Sequence, residues 1–208
     1  MPHPLTFLGI AGSLRRESYN RAALRAAAKL APRGVTLDTF DIASIPLFNQ
    51  DGERSPPQAL TEFKRAIRAA DAIVLATPEY NYSIPGVLKN AIDCASRPYG
   101  DNAWKGKPVA VMGASVGAFG AVRAQLHLRQ TFVFLEMHPV NQPEVAIGNA
   151  EKAFDKDGEL VDEKARKLIA DLLQALADLT LRLTPGKGRD ATPAGRSAER
   201  GPAAIVAG

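Results

Sequence analysis

The sequence predicts an α/β protein built on a doubly wound, five-stranded parallel sheet with helices on both faces. Three observations favour this fold class. Short apolar runs alternate with helical patterns from residue 5 to residue 183, which is typical of parallel strands joined by crossover helices. The run at 72–77 is short and apolar, as expected for a central strand covered on both faces. A chain of 208 residues, 46% of them hydrophobic, suffices for one core of this size.

The strands are predicted from their hydrophobic pattern. Residues 5–11 form an apolar run that indicates a buried strand, and residues 35–40 alternate as in a half-buried strand. Residues 72–77 and 108–114 are the predicted central strands. A shorter run at 144–147 completes the set of five.

The helices are predicted from apolar residues at helical spacing. Pro57 and Pro85 fall in predicted first turns, where proline is favoured, and Asp162 is a candidate N-cap. The predicted helices are 19–30, 57–70, 85–95, 118–135 and 162–183.

The last 25 residues differ from the rest of the chain. Residues 184–208 are rich in Gly, Pro, Ala and Arg and show no periodicity, which indicates a flexible tail. We therefore predict one domain at residues 1–183 followed by a tail at 184–208.

Composition argues against several classes of protein. The N-terminus has no basic segment before its first apolar run, so we expect no signal peptide and a cytoplasmic location. The apolar runs are too short to span a bilayer, so we expect no membrane partner. Cys94 is the only cysteine and the three histidines have no metal-ligand spacing, so we expect neither a disulfide nor a bound metal.

The net charge of +4 does not indicate a nucleic-acid partner. Four cations and two acids beyond residue 183 supply +2 of this charge. The remaining residues show no dense Lys/Arg stripe, the usual footprint of nucleic-acid binding.

The loop after the first strand is suited to an anion. Its sequence, GIAGSLRRESYNR at 9–21, combines a glycine, hydroxyl and amide side chains and arginines just before a helix N-terminus. These groups suit a terminal phosphate, although the loop matches neither the dinucleotide fingerprint nor the Walker motif. The alternative is a polar turn in which Ser18 or Asn20 only caps the helix.

The loop after the third strand displays aromatic side chains. Glu79, Tyr80, Asn81 and Tyr82 lie between two prolines, and Pro78 marks the end of the strand. Ligands of such sheets bind at the carboxyl ends of the strands, so these residues could embrace a planar ring. Alternatively, the tyrosines pack on a neighbouring helix or a partner chain.

The loop after the fourth strand allows two interpretations. Residues 113–117 read GASVG, a G-x-S-x-G pattern between a strand and a helix, which is the context of a hydrolase nucleophile. A serine hydrolase using Ser115 would need an acid and then a histidine later in the chain, and neither His127 nor His138 follows a separate acid-bearing loop. The other interpretation is a small-residue loop lying against a flat ligand, with Gly117 and Gly120 leaving space.

Together these loops closely resemble the NAD(P)H-dependent FMN reductase family, in particular its bacterial chromate/quinone reductase branch. The resemblance rests on GSLRRESYNR, PEYNYSIPGVLKNAID and GASVGAFGAVRAQLHLRQ, with NQPEV at 141–145 and AFDKDGEL at 153–160 in support. It covers about residues 5 to 180 and leaves the tail out. It implies a flavodoxin-like fold and bound FMN.

The resemblance also implies which residues bind FMN. The residues that would hold the phosphate are Ser13, Arg15, Ser18 and Asn20. Those that would flank the isoalloxazine ring are Pro78, Glu79, Tyr80, Asn81 and Tyr82, with backbone groups of 79–81 at its polar edge. Those that would lie along the other side of the ring are Ser115, Gly117 and Gly120. Arg16 and Glu17 occupy a variable part of the loop and receive no role.

The activity implied is transfer of hydride from NADPH or NADH through bound FMN to quinones, with chromate, free flavin and azo compounds as further acceptors. No catalytic side chain is expected, because the chemistry takes place at the flavin N5. The resemblance also implies a homodimer or homotetramer, with the region of Tyr82 and Pro85 or the helix at 87–96 at an interface. The alternative is a flavodoxin-like electron carrier, although such carriers tend to be acidic and this chain is basic.

Overall fold

Parallel strands form the centre of the structure, a computed structural model that describes residues 4–184. The strands are β1 (Leu5–Ala11), β2 (Val35–Phe40), β3 (Ala72–Ala76), β4 (Pro108–Ala114), β5 (His138–Pro139) and β6 (Val145–Ile147). Their order is β2-β1-β3-β4, and β5 and β6 both pair with β4. This is the strand order of a flavodoxin-like doubly wound sheet, and the predicted fold class is confirmed.

The fifth position of the sheet is divided between two short strands. His138 pairs with Pro108 near the start of β4, whereas Val145 pairs with Met112 near its end. The sequence predicted only the second of these, because a two-residue strand has no period to read. The five predicted strands therefore become six segments in five positions.

The helices cover both faces of this sheet. They are α1 (Tyr19–Leu30), α2 (Gln58–Ala69), α3 (Gly86–Ala95), α4 (Val122–Leu135), α5 (Ala150–Ala153) and α6 (Glu163–Leu183), with 3₁₀ turns at Ile42–Ser44 and Gln50–Arg54. Asp162 caps α6 by accepting a hydrogen bond from Ala165 N at 2.7 Å, as predicted. No helix within residues 4–184 is long and apolar enough to cross a membrane.

The core consists of two layers, one on each face of the sheet. Alternate residues of β3 point to opposite layers, as the pleat requires: Val74 packs with α1 and α6, and Ile73 and Leu75 pack with α2, α3 and α4. Every residue of β3 and β4 is buried. These two strands therefore hold the loops that follow them at fixed positions.

Helix α4 begins later than its sequence predicts. Residues 118–121 were predicted as its first turn, but Gly120 and Ala121 have φ angles of 56° and 64°. Such left-handed backbone cannot continue a right-handed helix. The four residues instead extend the loop after β4. The predicted tail, apart from Thr184, lies outside the described residues.

Candidate active site

Three loops leave the sheet side by side at its carboxyl edge. The register aligns Ala11 of β1 with Ala76 of β3, and Ala76 with Met112 of β4. The next residues continue the ladder, because Gly12 N donates to Ala76 O at 2.8 Å and Thr77 N donates to Met112 O at 2.9 Å. The three loops that the sequence singled out therefore start in one row.

The loop between β1 and α1 presents hydrogen-bond donors that have no protein partner. Ser18 Oγ accepts from the N–H groups of Asn20 and Arg21, so its hydroxyl hydrogen remains available. Ser13 Oγ is also buried and accepts from Arg15 N at 3.4 Å.

The backbone of this loop adds further donors. Among the described residues, the N–H groups of Arg16, Glu17 and Tyr19 have no protein acceptor. Unpaired N–H groups at the start of a helix attract anions, since they carry the positive end of the helix dipole. The loop is thus built to receive an anion.

Asn20 and Arg15 have protein partners of their own. The Asn20 amide donates to Ala114 O and accepts from Ala114 N, both at 2.9 Å, and the residue is 2% exposed. Asn20 therefore ties α1 to the end of β4, a role that the sequence did not suggest. Arg15 is exposed and donates to Glu17 O at 2.8 Å.

A tight turn presents the two tyrosines of the loop after β3. Tyr80 and Ser83 exchange both backbone hydrogen bonds, at 3.1 and 3.0 Å. Asn81 and Tyr82 between them have φ angles of 50° and 66°, the left-handed pair of a type I′ turn. This conformation is unfavourable for a bulky tyrosine, and such strain is often found at functional sites. As a result, Tyr80 is 51% and Tyr82 68% exposed.

Glu79 connects this turn to α4. Its buried carboxylate accepts hydrogen bonds from the backbone N–H groups of Arg123 and Ala124, at 3.0 and 3.3 Å. It also forms an ion pair with the Arg123 guanidinium, whose Nε lies 2.5 Å from Oε1. No residue of the α4 N-cap supplies a side-chain hydrogen bond, so Glu79 takes over that function from another loop.

The charge of Glu79 is stabilised by these contacts. Burial alone would raise the pKa of Glu79. The hydrogen bond and charge of Arg123, together with the two backbone N–H groups, outweigh burial and lower that pKa. The carboxylate is therefore ionised at neutral pH, where it fixes the orientation of the loop.

Arg123 is the principal site residue that the sequence analysis did not identify. Its guanidinium carbon lies 3.6 Å from the centroid of the Tyr82 ring and 5.3 Å from that of Phe119. It joins the loop after β3 to the loop after β4 by a cation–π contact as well as an ion pair. An arginine at the start of a helix that follows such a loop was the available signal.

The loop after β4 packs against β6 and against Gly148, which follows it. A Cβ at Gly120 would lie 2.6 Å from Ile147 N, so no other residue fits without displacing the backbone. Gly117 is different, because a Cβ there would meet only Ser115 Oγ, at 3.6 Å. The surface at Gly117 is therefore open, with space for a flat group next to Ser115.

The geometry does not support a serine hydrolase. Ser115 Oγ accepts a hydrogen bond from Gly117 N at 3.1 Å. His127 Nδ1 instead lies 2.9 Å from Ser83 Oγ, and His138 is an exposed edge residue. Within residues 4–184, no histidine forms a hydrogen bond with Ser115.

Comparisons with known proteins agree on one family and one fold for this chain. The sequence model described as NADPH-dependent FMN reductase matches residues 5–152. An NAD(P)H-dependent FMN reductase of Pseudomonas aeruginosa is 55% identical over 177 residues, which cover 85% of this chain and 95% of that protein. A quinone reductase of Pseudomonas putida is 48% identical over 155 residues, 74% of this chain and 83% of that one. The solved structure of a flavoenzyme NAD(P)H:(acceptor) oxidoreductase from Paracoccus denitrificans superposes with a TM-score of 0.79 at 36% identity, covering 86% of this chain and 98% of that chain.

Proposed function

The chain belongs to the NADPH-dependent FMN reductase family, and on that premise we propose that it uses the row of three loops to reduce quinones. It is an FMN-dependent oxidoreductase that takes hydride from NAD(P)H. The observation that carries the proposal is the convergence of unpaired N–H and hydroxyl donors, exposed aromatic rings and an open glycine on one edge of the sheet.

The donors of the first loop fit the FMN phosphate. A phosphate accepts several hydrogen bonds, and this loop offers the hydroxyl hydrogens of Ser13 and Ser18 and unpaired backbone N–H groups, those of Arg16, Glu17 and Tyr19 among them. Arg15 is exposed beside them and can turn its charge toward the phosphate. Asn20 contributes by fixing the loop to β4, and a direct contact with phosphate remains a prediction.

The other two loops fit the ring of FMN. Within the described residues, the N–H groups of Glu79 and Asn81 have no protein acceptor, whereas the N–H of Tyr80 is used in the turn. Glu79 and Asn81 would therefore donate to the polar edge of the ring, and Pro78 and Tyr82 would flank it. Ser115, Gly117 and Gly120 would line its other side.

Bound FMN supplies the two-electron chemistry, so no side-chain acid or base is required. The residues of this chain contribute orientation and charge stabilisation. Backbone N–H groups directed at the polar edge of the ring would stabilise negative charge as it develops there. The Arg123 guanidinium lies against the exposed rings of Tyr82 and Phe119, at the mouth that these loops would form. Planar, partly apolar acceptors suit such a mouth, and quinones have this shape; chromate, free flavin and azo compounds are further candidates.

The test is a steady-state assay of the full-length protein with NADPH or NADH and a benzoquinone, without any partner protein. We expect quinone-dependent oxidation of the coenzyme, and Ser115→Ala should lower this activity without abolishing it, because Ser115 would line the ring rather than act as a nucleophile. Activity only after a protein electron acceptor is added would favour the carrier instead. Absence of flavin from the purified protein, with none taken up from added FMN, would refute the function itself.

We further propose that the protein is a homodimer formed through the outer face of α4. Val133 and Phe134 on that face are 82% and 79% exposed, and Leu126 is 50% exposed. Contiguous exposed apolar side chains mark interaction surfaces. Helix α3, one of the two interface regions that the resemblance implies beside that of Tyr82 and Pro85, exposes the ion pair of Lys89 with Asp93. Analytical sedimentation of the wild type and of Phe134→Glu tests this interface. A dimeric wild type and a monomeric variant would support it, whereas a variant that remains dimeric would refute it.

The cytoplasm is the proposed location, since reduced nicotinamide coenzymes are available there. The single cysteine, Cys94, is buried and unpaired, which is consistent with a reducing compartment. Fractionation of cells would test this, and recovery of the protein outside the cytoplasmic fraction would contradict it.

A further inference from the structure

A cleft of about 250 Å³ lies between α1 and the end of β2. Ala11 and Phe40, the last residues of β1 and β2, form part of its wall, so the cleft opens at the same edge as the flavin loops. None of the side chains predicted to bind FMN lines it, and it shares only Arg16 with the phosphate loop, whose backbone N–H is one of the donors there. The cleft is therefore a separate feature, next to the phosphate loop.

Three arginines and one aspartate give the cleft a positive charge. Arg16, Arg21 and Arg25 line it together with Asp41. Arg21 is held in place, because its Nη2 lies 3.1 and 3.0 Å from the two oxygens of Asp41 and its Nε donates to Ser13 O at 3.0 Å. The charges of Arg21 and Asp41 cancel, which leaves those of the other two arginines.

Arg16 and Arg25 form no ion pair with any residue in the described part of the chain, and the Arg25 guanidinium lies next to Gly158. Both are exposed. Arg25 also lies one helical turn after Arg21, where like charges disfavour each other. Two guanidinium groups without an ion-pair partner around a cleft suit a dianion, because each can bind phosphate oxygens through a fork of N–H groups.

The contacts of Asp41 influence whether the cleft favours a ribose 2′-hydroxyl or a 2′-phosphate. In other nucleotide-binding sheets, an acid near the end of the second strand accepts the ribose 2′-hydroxyl of NAD, whereas an arginine there accommodates the 2′-phosphate of NADP. Here the Asp41 carboxylate already accepts from Ala43 N at 2.9 Å and from Arg21. Burial would raise the pKa of Asp41, but the Ala43 amide and Arg21 lower it, so the ion pair persists at neutral pH.

We propose that this cleft binds the 2′-phosphate of NADPH through Arg16 and Arg25, and so makes the enzyme prefer NADPH to NADH. The inference rests on the proposed function, since it assigns a coenzyme subsite to that reductase. Strands β2 and β3 are separated by one intervening strand, a distance of roughly 10 Å. An extended dinucleotide bridges that distance between the ring loops and the cleft.

The experiment compares kcat/KM for NADPH and NADH in Arg16→Gln, Arg25→Gln and the double variant. A charge-assisted hydrogen bond contributes about 1.5 kcal/mol or more, so each substitution should lower the NADPH-to-NADH ratio roughly tenfold. Arg65→Gln is the matched control, since Arg65 is an exposed arginine of α2 outside the cleft. The control should leave the ratio unchanged.

A binding measurement tests the cleft without turnover. Calorimetry on the full-length protein should show that 2′-AMP binds and that 5′-AMP binds more weakly, with the difference lost in the double variant. Inorganic phosphate that binds as tightly as 2′-AMP would indicate a site for free phosphate and overturn the assignment.

Two further results would also overturn it. One is an unchanged coenzyme ratio in the double variant. The other is loss of FMN from that variant, which would assign the arginines to the flavin phosphate. These results can be distinguished from failure of the proposed function. If the wild type bound no flavin or reduced no quinone, the calorimetric measurement would still show whether the cleft binds 2′-AMP.

Discussion

Replacement of Glu79 by glutamine tests how the ligand loops are held together. The change keeps the shape of the side chain but removes the charge that pairs with Arg123 and caps α4. Hydrogen bonds to charged groups contribute about 1.5–3 kcal/mol, and the helix dipole adds a few tenths. The Arg123 side chain is 34% exposed and can regain water, so we expect a loss of about 2 kcal/mol in the free energy of unfolding.

Urea denaturation measures this loss. With a slope of about 2 kcal/mol per molar urea, the midpoint of Glu79→Gln should fall by about 1 M at pH 7. Glu144→Gln is the matched control, because Glu144 is exposed, lies outside the helices and has a side chain that forms no hydrogen bond or ion pair within residues 4–184. Its midpoint should match that of the wild type.

The pH dependence of the free energy of unfolding tests whether the charge of Glu79 causes this stabilisation. Because folding lowers the pKa of Glu79 from its ordinary value of 4.5, the stabilisation is complete above pH 4.5. It is lost as the pH falls through the folded-state pKa, where the carboxylate becomes protonated. The gap between wild type and Glu79→Gln should therefore close in acid. Equal midpoints at pH 7, or a gap that persists in strong acid, would show that the ion pair does not hold the loops.

Three further substitutions test other contacts of the site. Asn20→Ala leaves the buried backbone groups of Ala114 without partners, so the free energy of unfolding should fall by about 2–4 kcal/mol in urea; a change below 1 kcal/mol would contradict this role. Gly120→Ala should prevent correct folding or FMN uptake, since its Cβ meets backbone and its φ is positive, whereas Gly86→Ala, in open space, should be neutral or stabilising in the same assays. Ser18→Ala removes an N-cap and a phosphate donor, so the Kd for FMN, followed by flavin fluorescence, should rise roughly tenfold; an unchanged Kd would exclude Ser18 from the phosphate site.

Much of the fold was predictable, because strands and helices with a clear period carry their own signal. Residues 5–11 and 19–30 were predicted with the bounds that the structure has. The start of α4 was not, since residues 118–121 have helical composition, but Gly120 and Ala121 adopt left-handed backbone and the stretch packs against β6 and Gly148. That packing depends on residues about 25 positions away, which a local pattern cannot show.

The candidate site was predictable as a set of loops but not as a set of contacts. Loops that follow neighbouring parallel strands must meet at one edge, so their convergence could be predicted from strand order alone. The bond of Asn20 to Ala114 and the pair of Glu79 with Arg123 join residues 94 and 44 positions apart. The arginine cleft could not be predicted for the same reason, because Asp41 approaches Arg21 only once β2 lies beside β1.

The most direct test of the proposed reductase is the visible spectrum of the purified full-length protein during anaerobic titration. We expect an FMN spectrum that is bleached by one equivalent of NADPH per flavin and restored by one equivalent of a benzoquinone. A protein that takes up no flavin, or a bound flavin that neither coenzyme bleaches, would contradict the proposal.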